Sequence, residues 1–398
     1  MDKICRVMMN LIGSEICGNA VCADEIKALS DDELKALYKL SKSHDLAHLV
    51  GNALIKNKLI SDIKIKAVFE KELYTAVFRY ESINYELGNI KEILSENEIP
   101  FIPLKGSVIR EYYPEPWQRT SCDIDVLVKK RDLDKAKTAI IGKCGYRVSS
   151  DRTRHDISLF SFGNVHLELH YTLIEDDKFP EADRILNRCW EYAYTEHDGG
   201  SLELFSDSFF YFYHILHMAK HIKCGGCGVR PFLDLWILNH RVEKNENERN
   251  KLLLEGGIKR FAQTAEALSE EWFSVKVNQG SERSQANECD ELIKRLSDYV
   301  INGGVYGTTK NRVMVQRADK SKLGYLFSRI FLSYQDLSML YPNLEKHKWL
   351  FPFYQVRRWF RILFCGGRKT AMNEIELNQS LSEEKKQAAK RLIDELGL

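Results

Sequence analysis

Pro103-Leu104-Lys105-Gly106-Ser107, followed at a short distance by Asp123-Ile124-Asp125, is the stretch on which the reading of this chain turns. Residues 99–104 are a short apolar run punctuated by Pro100 and Pro103, which argues against helix. Lys105-Gly106-Ser107 ends a short predicted strand, and Val108, Ile109 and Tyr112 have the spacing of a helix that starts there. Residues 122–128 alternate and are rich in β-branched side chains, the pattern of a strand. Side chains alternate faces along a strand, so Asp123 and Asp125 project to one side while Ile124 and Val126 face a core on the other. Two carboxylates on one face suit one or two Mg²⁺ (or Mn²⁺) ions, which take hard oxygen ligands together with substrate phosphates.

The Gly-Ser turn supplies a complementary phosphate side. Backbone N–H groups at a helix start point at an anion, and the missing side chain of Gly106 lets a phosphate come close. Ser107 adds a hydroxyl donor. Lys105 reads either as a charged phosphate ligand or as a solvated lysine at a strand end. Arg119, in the loop before the Asp strand, has a planar fork that fits phosphate bidentately, or it bonds to loop carbonyls. Residues 165–170 read as a further strand on which His166, Glu168 and His170 share a face. Glu168 is the expected third acid, as metal ligand or as general base for an acceptor hydroxyl. An edge strand with a polar outer face is the plainer reading of the same periodicity.

Outward from this core the pattern is helical. Residues 23–96 read as helices, with Asp31 and Asp32 as a capping signal ahead of Leu34, Leu37 and Leu40, and a long amphipathic stretch over 65–96. A crossover helix over 133–141 and strands at 146–148 and 157–162 complete an α+β pattern. Helices return at 209–222, 232–240 and 252–273. The polar segment 275–290 reads as a linker, helix resumes from Glu291, and a charged amphipathic helix spans 382–396. The expected division is an N-terminal helical region (1–98), a mixed-sheet core (99–204) and a C-terminal helical domain (205–398).

Composition sets bounds. A chain of 398 residues with 29% charged and 44% hydrophobic residues can bury a sizeable core. Its formal charge of +1 gives no global field toward nucleic acid or membrane, and DNA is not an expected partner. The ten cysteines have no framework spacing, which fits reduced thiols in a cytoplasmic protein. The apolar stretch 7–12 is too short, and is interrupted by Asn10, to read as a signal peptide. No run approaches the ~20 apolar residues that span a bilayer.

Taken together, Pro103-Leu104-Lys105-Gly106, Tyr113-Pro114, Arg119 and Asp123-Ile124-Asp125-Val126-Leu127-Val128 resemble the signature of the uncharacterised bacterial nucleotidyltransferases grouped as family 5. Glu168-Leu169-His170 resembles that family's acid-x-His strand. His217-Met218-Ala219-Lys220-His221 with Arg230 and Asp234, and the turn Gly303-Gly304-Val305-Tyr306-Gly307, extend the likeness over most of the chain. The resemblance implies a polymerase-β-like core that uses a nucleoside triphosphate (ATP among the candidates) and a divalent metal. Catalytic and metal-ligating roles then fall to Asp123, Asp125 and Glu168, and nucleotide binding to Lys105, Gly106, Ser107 and Arg119. It names no acceptor: a small molecule, a protein side chain and tRNA all stand. So does a different class of function, a catalytically silent NTP-binding or protein-interaction module on the same fold.

Two further stretches carry alternatives. His214, His217 and His221 share a helix face ahead of Cys224-Gly225-Gly226-Cys227. These residues could bind zinc, or the glycines simply end the helix. In the latter case Lys220, His221 and Arg230 face the cleft, with Asp234 holding Arg230, or form a buried polar network. Residues 341–370 interleave Lys346, Lys348, Arg357, Arg358, Arg361, Arg368 and Lys369 with Trp349, Phe351, Phe353, Tyr354, Trp359 and Phe360. They either grip RNA or another anionic surface, or form a helix that buries its aromatics and solvates its arginines.

Overall fold

A computed structural model describes residues 2–175, 178–195, 200–274, 288–305, 311, 313–314, 321–341, 343–364, 368–380 and 382–398. Most of them are helical, and the strands fall in the middle of the chain. The main sheet has five strands: β1 (Phe101–Pro103), β2 (Asp123–Val128), β3 (Arg147–Arg152), β4 (Asp156–Phe160) and β5 (His166–His170). Their order is β1-β2-β5-β4-β3. β2 and β5 run parallel, and the other neighbours are antiparallel, so the sheet is mixed. β5 therefore lies inside the sheet, between β2 and β4, and is not the edge strand that its polar residues permit. The α+β class is as expected.

The period-two pattern of β2 and β5 sorts their side chains. Ile124, Val126, Leu167 and Leu169 are buried against Ile83, Leu87, Ile90 and Leu94 of the long helix Ile63–Glu96 and against Ala136 and Ile140 of Leu133–Cys144. The acids and histidines take the opposite face. That face meets a second and larger core, in which Val7, Leu11, Leu49 and Leu54 pack in one cluster with Phe209, Phe212, Phe232, Phe261 and Trp272. Helices from both ends of the chain thus share one core and wall in the polar face of the sheet.

Several sequence expectations shift in detail. Lys3–Ile16, weighed above only as a possible leader, is a helix with seven buried apolar side chains from Cys5 to Ile16 in the core. The capping residue of the helix Asp31–Ser43 is Ser30, whose hydroxyl accepts from the N–H of Glu33 in a full capping box, so Asp31 and Asp32 fall inside the first turn. The stretch 252–273 is two elements, Glu246–Glu255 and Lys259–Phe273, split where Gly257 takes φ +71°. The linker expected over 275–290 lies outside the described residues up to 287, and its last residues open the helix Glu288–Ile301. Tyr306 and Gly307 of the glycine turn also lie outside them. In 341–370, Tyr341 and Tyr354 are buried, but Trp349, Phe353 and Phe360 are exposed, contrary to a helix that buries its aromatics. Arg357 and Arg361 lie over the Tyr341 ring, and Arg358 donates to the carbonyls of Arg329 and Ile330.

Candidate active site

The parallel register of β2 and β5 sets Asp123 opposite His166 and Asp125 opposite Glu168. Three acids from two strands therefore converge on one face, as the alternation of each strand predicts. One ligand atom from each of Asp123, His166 and Glu168 lies within 4.8 Å of the others, and the same is true of Asp125, Glu168 and His170. Asp123, Asp125 and Glu168 line the floor of a cleft of about 300 Å³.

Asp125 is the most constrained of the three. It is buried; Lys105 Nζ stands 3.2 Å from its Oδ1 and His170 Nε2 2.9 Å from the same atom. Burial alone raises a carboxyl pKa, but Lys105 and His170 outweigh it and hold Asp125 well below the usual carboxylate range. Asp123 has no such hydrogen-bonded or ion-paired partner among the described residues, and Lys105 and His166 act on it only at a distance. Burial and the neighbouring charge of Asp125 push its pKa up to about 6. Burial disfavours the imidazolium of His170, yet its hydrogen bonds to Asp125 and Glu168 prevail and lift it to about 9. The donor set fits a hard divalent cation: Glu168 stands in ligating range of Asp123 with His166 and of Asp125 with His170, and the charged form of Asp123 is disfavoured by burial and by the charge of Asp125.

Lys105 reaches Asp125 from an unusual backbone. Its φ of +45° and ψ of −116° are a conformation that side-chain-bearing residues rarely adopt. It precedes a helix of only four residues, Gly106–Ile109. The N–H of Ser107 donates back to Leu104 and that of Val108 to Lys105, so those donors are turned inward and not toward the cleft. The Ser107 hydroxyl is buried with no hydrogen-bond partner among the described residues. Gly106 does border the cleft, and a Cβ there would stand 3.3 Å from Ser121 Cβ and 3.4 Å from an Arg119 nitrogen.

Arg119 borders the cleft with its fork already taken. Nε and Nη2 donate to both oxygens of Asp234 at 2.8–3.1 Å, and Nη1 donates to the Thr120 carbonyl at 2.6 Å. Tyr113 donates to the same Asp234 at 2.6 Å. Asp234 thus holds Arg119, not Arg230. Arg230 instead pairs with Asp45 at 2.9 Å and donates to the Thr120 carbonyl, and Asp45 had no signal in the sequence.

The helices Asp207–Cys224 and Arg230–His240 form the wall facing the carboxylates. Tyr213, His214, His217, His221 and Arg230 line it. His217 and His221 touch through their Nε2 atoms at 3.2 Å, and burial holds both below the ordinary histidine value. Lys220 is buried beside this wall, its Nζ 3.7 Å from Glu175. The zinc reading fails among the described residues. His214 bonds the Pro231 carbonyl, Cys224 is exposed and meets Lys178, Cys227 is buried, and no three of these groups come within ligating range of each other.

Residues 30–274 match the model of a family described as uncharacterised nucleotidyltransferase. The chain belongs to this family. No curated protein and no solved structure matches it. The family match covers the sheet, the carboxylate floor and the helical wall, and stops before the exposed aromatics of 349–364. No helix among the described residues is long and apolar enough to cross a membrane.

Proposed function

We infer that this protein transfers a nucleoside monophosphate from a nucleoside triphosphate to an acceptor, with pyrophosphate leaving, on a polymerase-β-like core. The observation that carries the reading is the pairing of Asp125 with Glu168 across parallel strands, with Asp123 on the same face at the floor of a walled cleft. Asp123, Asp125 and Glu168 would hold Mg²⁺ or Mn²⁺, which supplies charge neutralisation for displacement at phosphorus. Glu168 alternatively takes the proton of the acceptor hydroxyl. Lys105 keeps Asp125 ionised and brings positive charge to the phosphate side, and Gly106 leaves room for a phosphate to approach. Arg119 contributes a positive wall while Asp234 fixes its fork, and Ser107 supports the turn from behind. His221 and Arg230 face the incoming molecules, with Lys220 adding charge behind them.

The decisive experiment incubates the protein with each α-labelled NTP and Mg²⁺ in a cell lysate and follows pyrophosphate release and label. Wild type should move label into a small-molecule, protein or RNA fraction, and Asp123→Ala/Asp125→Ala should not. Equal label transfer by both proteins overturns the reading. One observation favours a second reading, a silent NTP-binding module: Lys105 and His170 already balance the charge of Asp125 without a metal. That reading expects NTP binding with no pyrophosphate released.

A further inference from the structure

Beside the carboxylate floor, the same sheet face carries a second constellation of ligating side chains. Asp156 opens β4 directly opposite His170 of β5. His155, one residue earlier, lays its ring against that of His170, with ring centres 5.5 Å apart. One ligand atom from each of His155, Asp156 and His170 lies within 4.8 Å of the other two.

The hydrogen bonding of these three residues is incomplete in a telling way. His155 Nδ1, Asp156 Oδ1 and His170 Nδ1 are all buried, and none has a hydrogen-bond partner among the described residues. Asp156 and His170 are themselves almost wholly buried. Buried polar atoms are nearly always paired, and each exception asks for an ion or a water. The remaining atoms are engaged. Asp156 Oδ2 accepts from Thr153 Oγ1 at 2.7 Å and lies 3.0 Å from His155 Nε2, while His170 Nε2 meets Asp125. A metal-bound histidine usually gives its second ring N–H to a carboxylate, which fixes tautomer and orientation. His170 stands in that relation to Asp125, with Nδ1 left over.

We propose that His155, Asp156 and His170 bind a divalent transition ion of the Zn²⁺ type, at a site distinct from the oxygen site of Asp123, Asp125 and Glu168. Two imidazole nitrogens and one carboxylate suit a borderline ion, whereas the three carboxylates suit Mg²⁺ or Mn²⁺. An ion held there fixes the His170 ring and, through it, the orientation of Asp125. The site does not depend on the nucleotidyl-transfer reading.

The test uses the full-length protein stripped with chelator and titrated with Co²⁺, whose visible absorption reports low-coordinate nitrogen and oxygen ligation. Wild type should take up one equivalent with a visible band that Zn²⁺ removes and millimolar Mg²⁺ does not. His155→Ala and His155→Gln, each checked for native circular dichroism, should lose the band, and Asp123→Asn should keep it. Absence of a band in wild type overturns the proposal. So does a band that survives both His155 substitutions, and so does one that vanishes in Asp123→Asn, which would place the ion among the carboxylates. None of these outcomes depends on NTP turnover, so the two readings fail separately.

Discussion

Arg119 and Asp234, 115 residues apart in the chain, form a bidentate ion pair in which both side chains are largely buried. The pair ties the loop that delivers Asp123 to the helix that forms the opposite wall of the cleft, and Tyr113 adds a third bond to the same carboxylate. Removing one member leaves the other as an uncompensated buried charge. Asp234→Ala should therefore lower unfolding free energy by about 3–5 kcal/mol, and Arg119→Met/Asp234→Leu by distinctly less. Urea titration of the three proteins checks this. Similar losses in the single and double variants would show that the pair is not energetically coupled.

Asp123→Asn separates catalysis from folding. The native pKa of Asp123, about 6, lies above its ordinary 3.8, so its contribution to stability is present below 3.8 and lost as pH rises through 6. At pH 7 the ionised carboxylate opposes the metal-free fold by on the order of 1–3 kcal/mol. The variant should thus gain stability over wild type between pH 4 and pH 7 without added metal, and lose label transfer by at least about a hundredfold. Thermal unfolding across that range, set beside the transfer assay, reads both effects. Full turnover in Asp123→Asn would remove this residue from the chemistry.

The acid floor was legible in the sequence because it depends on short-range rules. Period-two alternation places Asp123 with Asp125 and Glu168 with His170, and the register only had to bring the two strands together. What the sequence hid was long-range partnership. Nothing local distinguishes Asp234 as the partner of Arg119 from Asp234 as the partner of Arg230, and Asp45 is unremarkable until folding places it beside Arg230. His155 comes from the loop ahead of β4, where no periodicity applies, so its approach to His170 is also invisible in the chain. The Gly106-Ser107 turn was located correctly, but the hydrogen bonds of Ser107 and Val108 back to Leu104 and Lys105 depend on the positive φ of Lys105, which no sequence pattern announces.

Lys105 offers a test of stored strain. At φ +45° a Cβ is disfavoured and glycine is not, so Lys105→Gly should be more stable than Lys105→Ala by about 1 kcal/mol. Both variants leave Asp125 without its ammonium partner, and both should bind NTP more weakly than wild type if the lysine serves the phosphate side. Paired denaturation curves and NTP titrations measure the two effects. An alanine variant as stable as the glycine variant would argue that the backbone here relaxes at no cost.

His48 sets an acid limit on the fold. It is buried beside the Gln118 carbonyl at 2.9 Å, and burial lowers its pKa from 6.5 to about 4. The unfolded chain then binds a proton that the folded chain refuses, so the contribution is complete above 6.5 and is lost progressively as pH falls toward 4. The loss is about 3 kcal/mol for this one residue. His44, His214, His217 and His221 are shifted downward by burial as well and act in the same direction. His170, raised to about 9, acts oppositely: its stabilisation is complete below 6.5 and fades as pH rises through 9. Replacing His48 with Gln should flatten the loss of stability between pH 6.5 and pH 4 by about 3 kcal/mol, whatever its effect at pH 7. Urea midpoints at three or four pH values, wild type against variant, measure this directly, and parallel curves would mean that His48 takes up its proton in the folded state at its ordinary pKa.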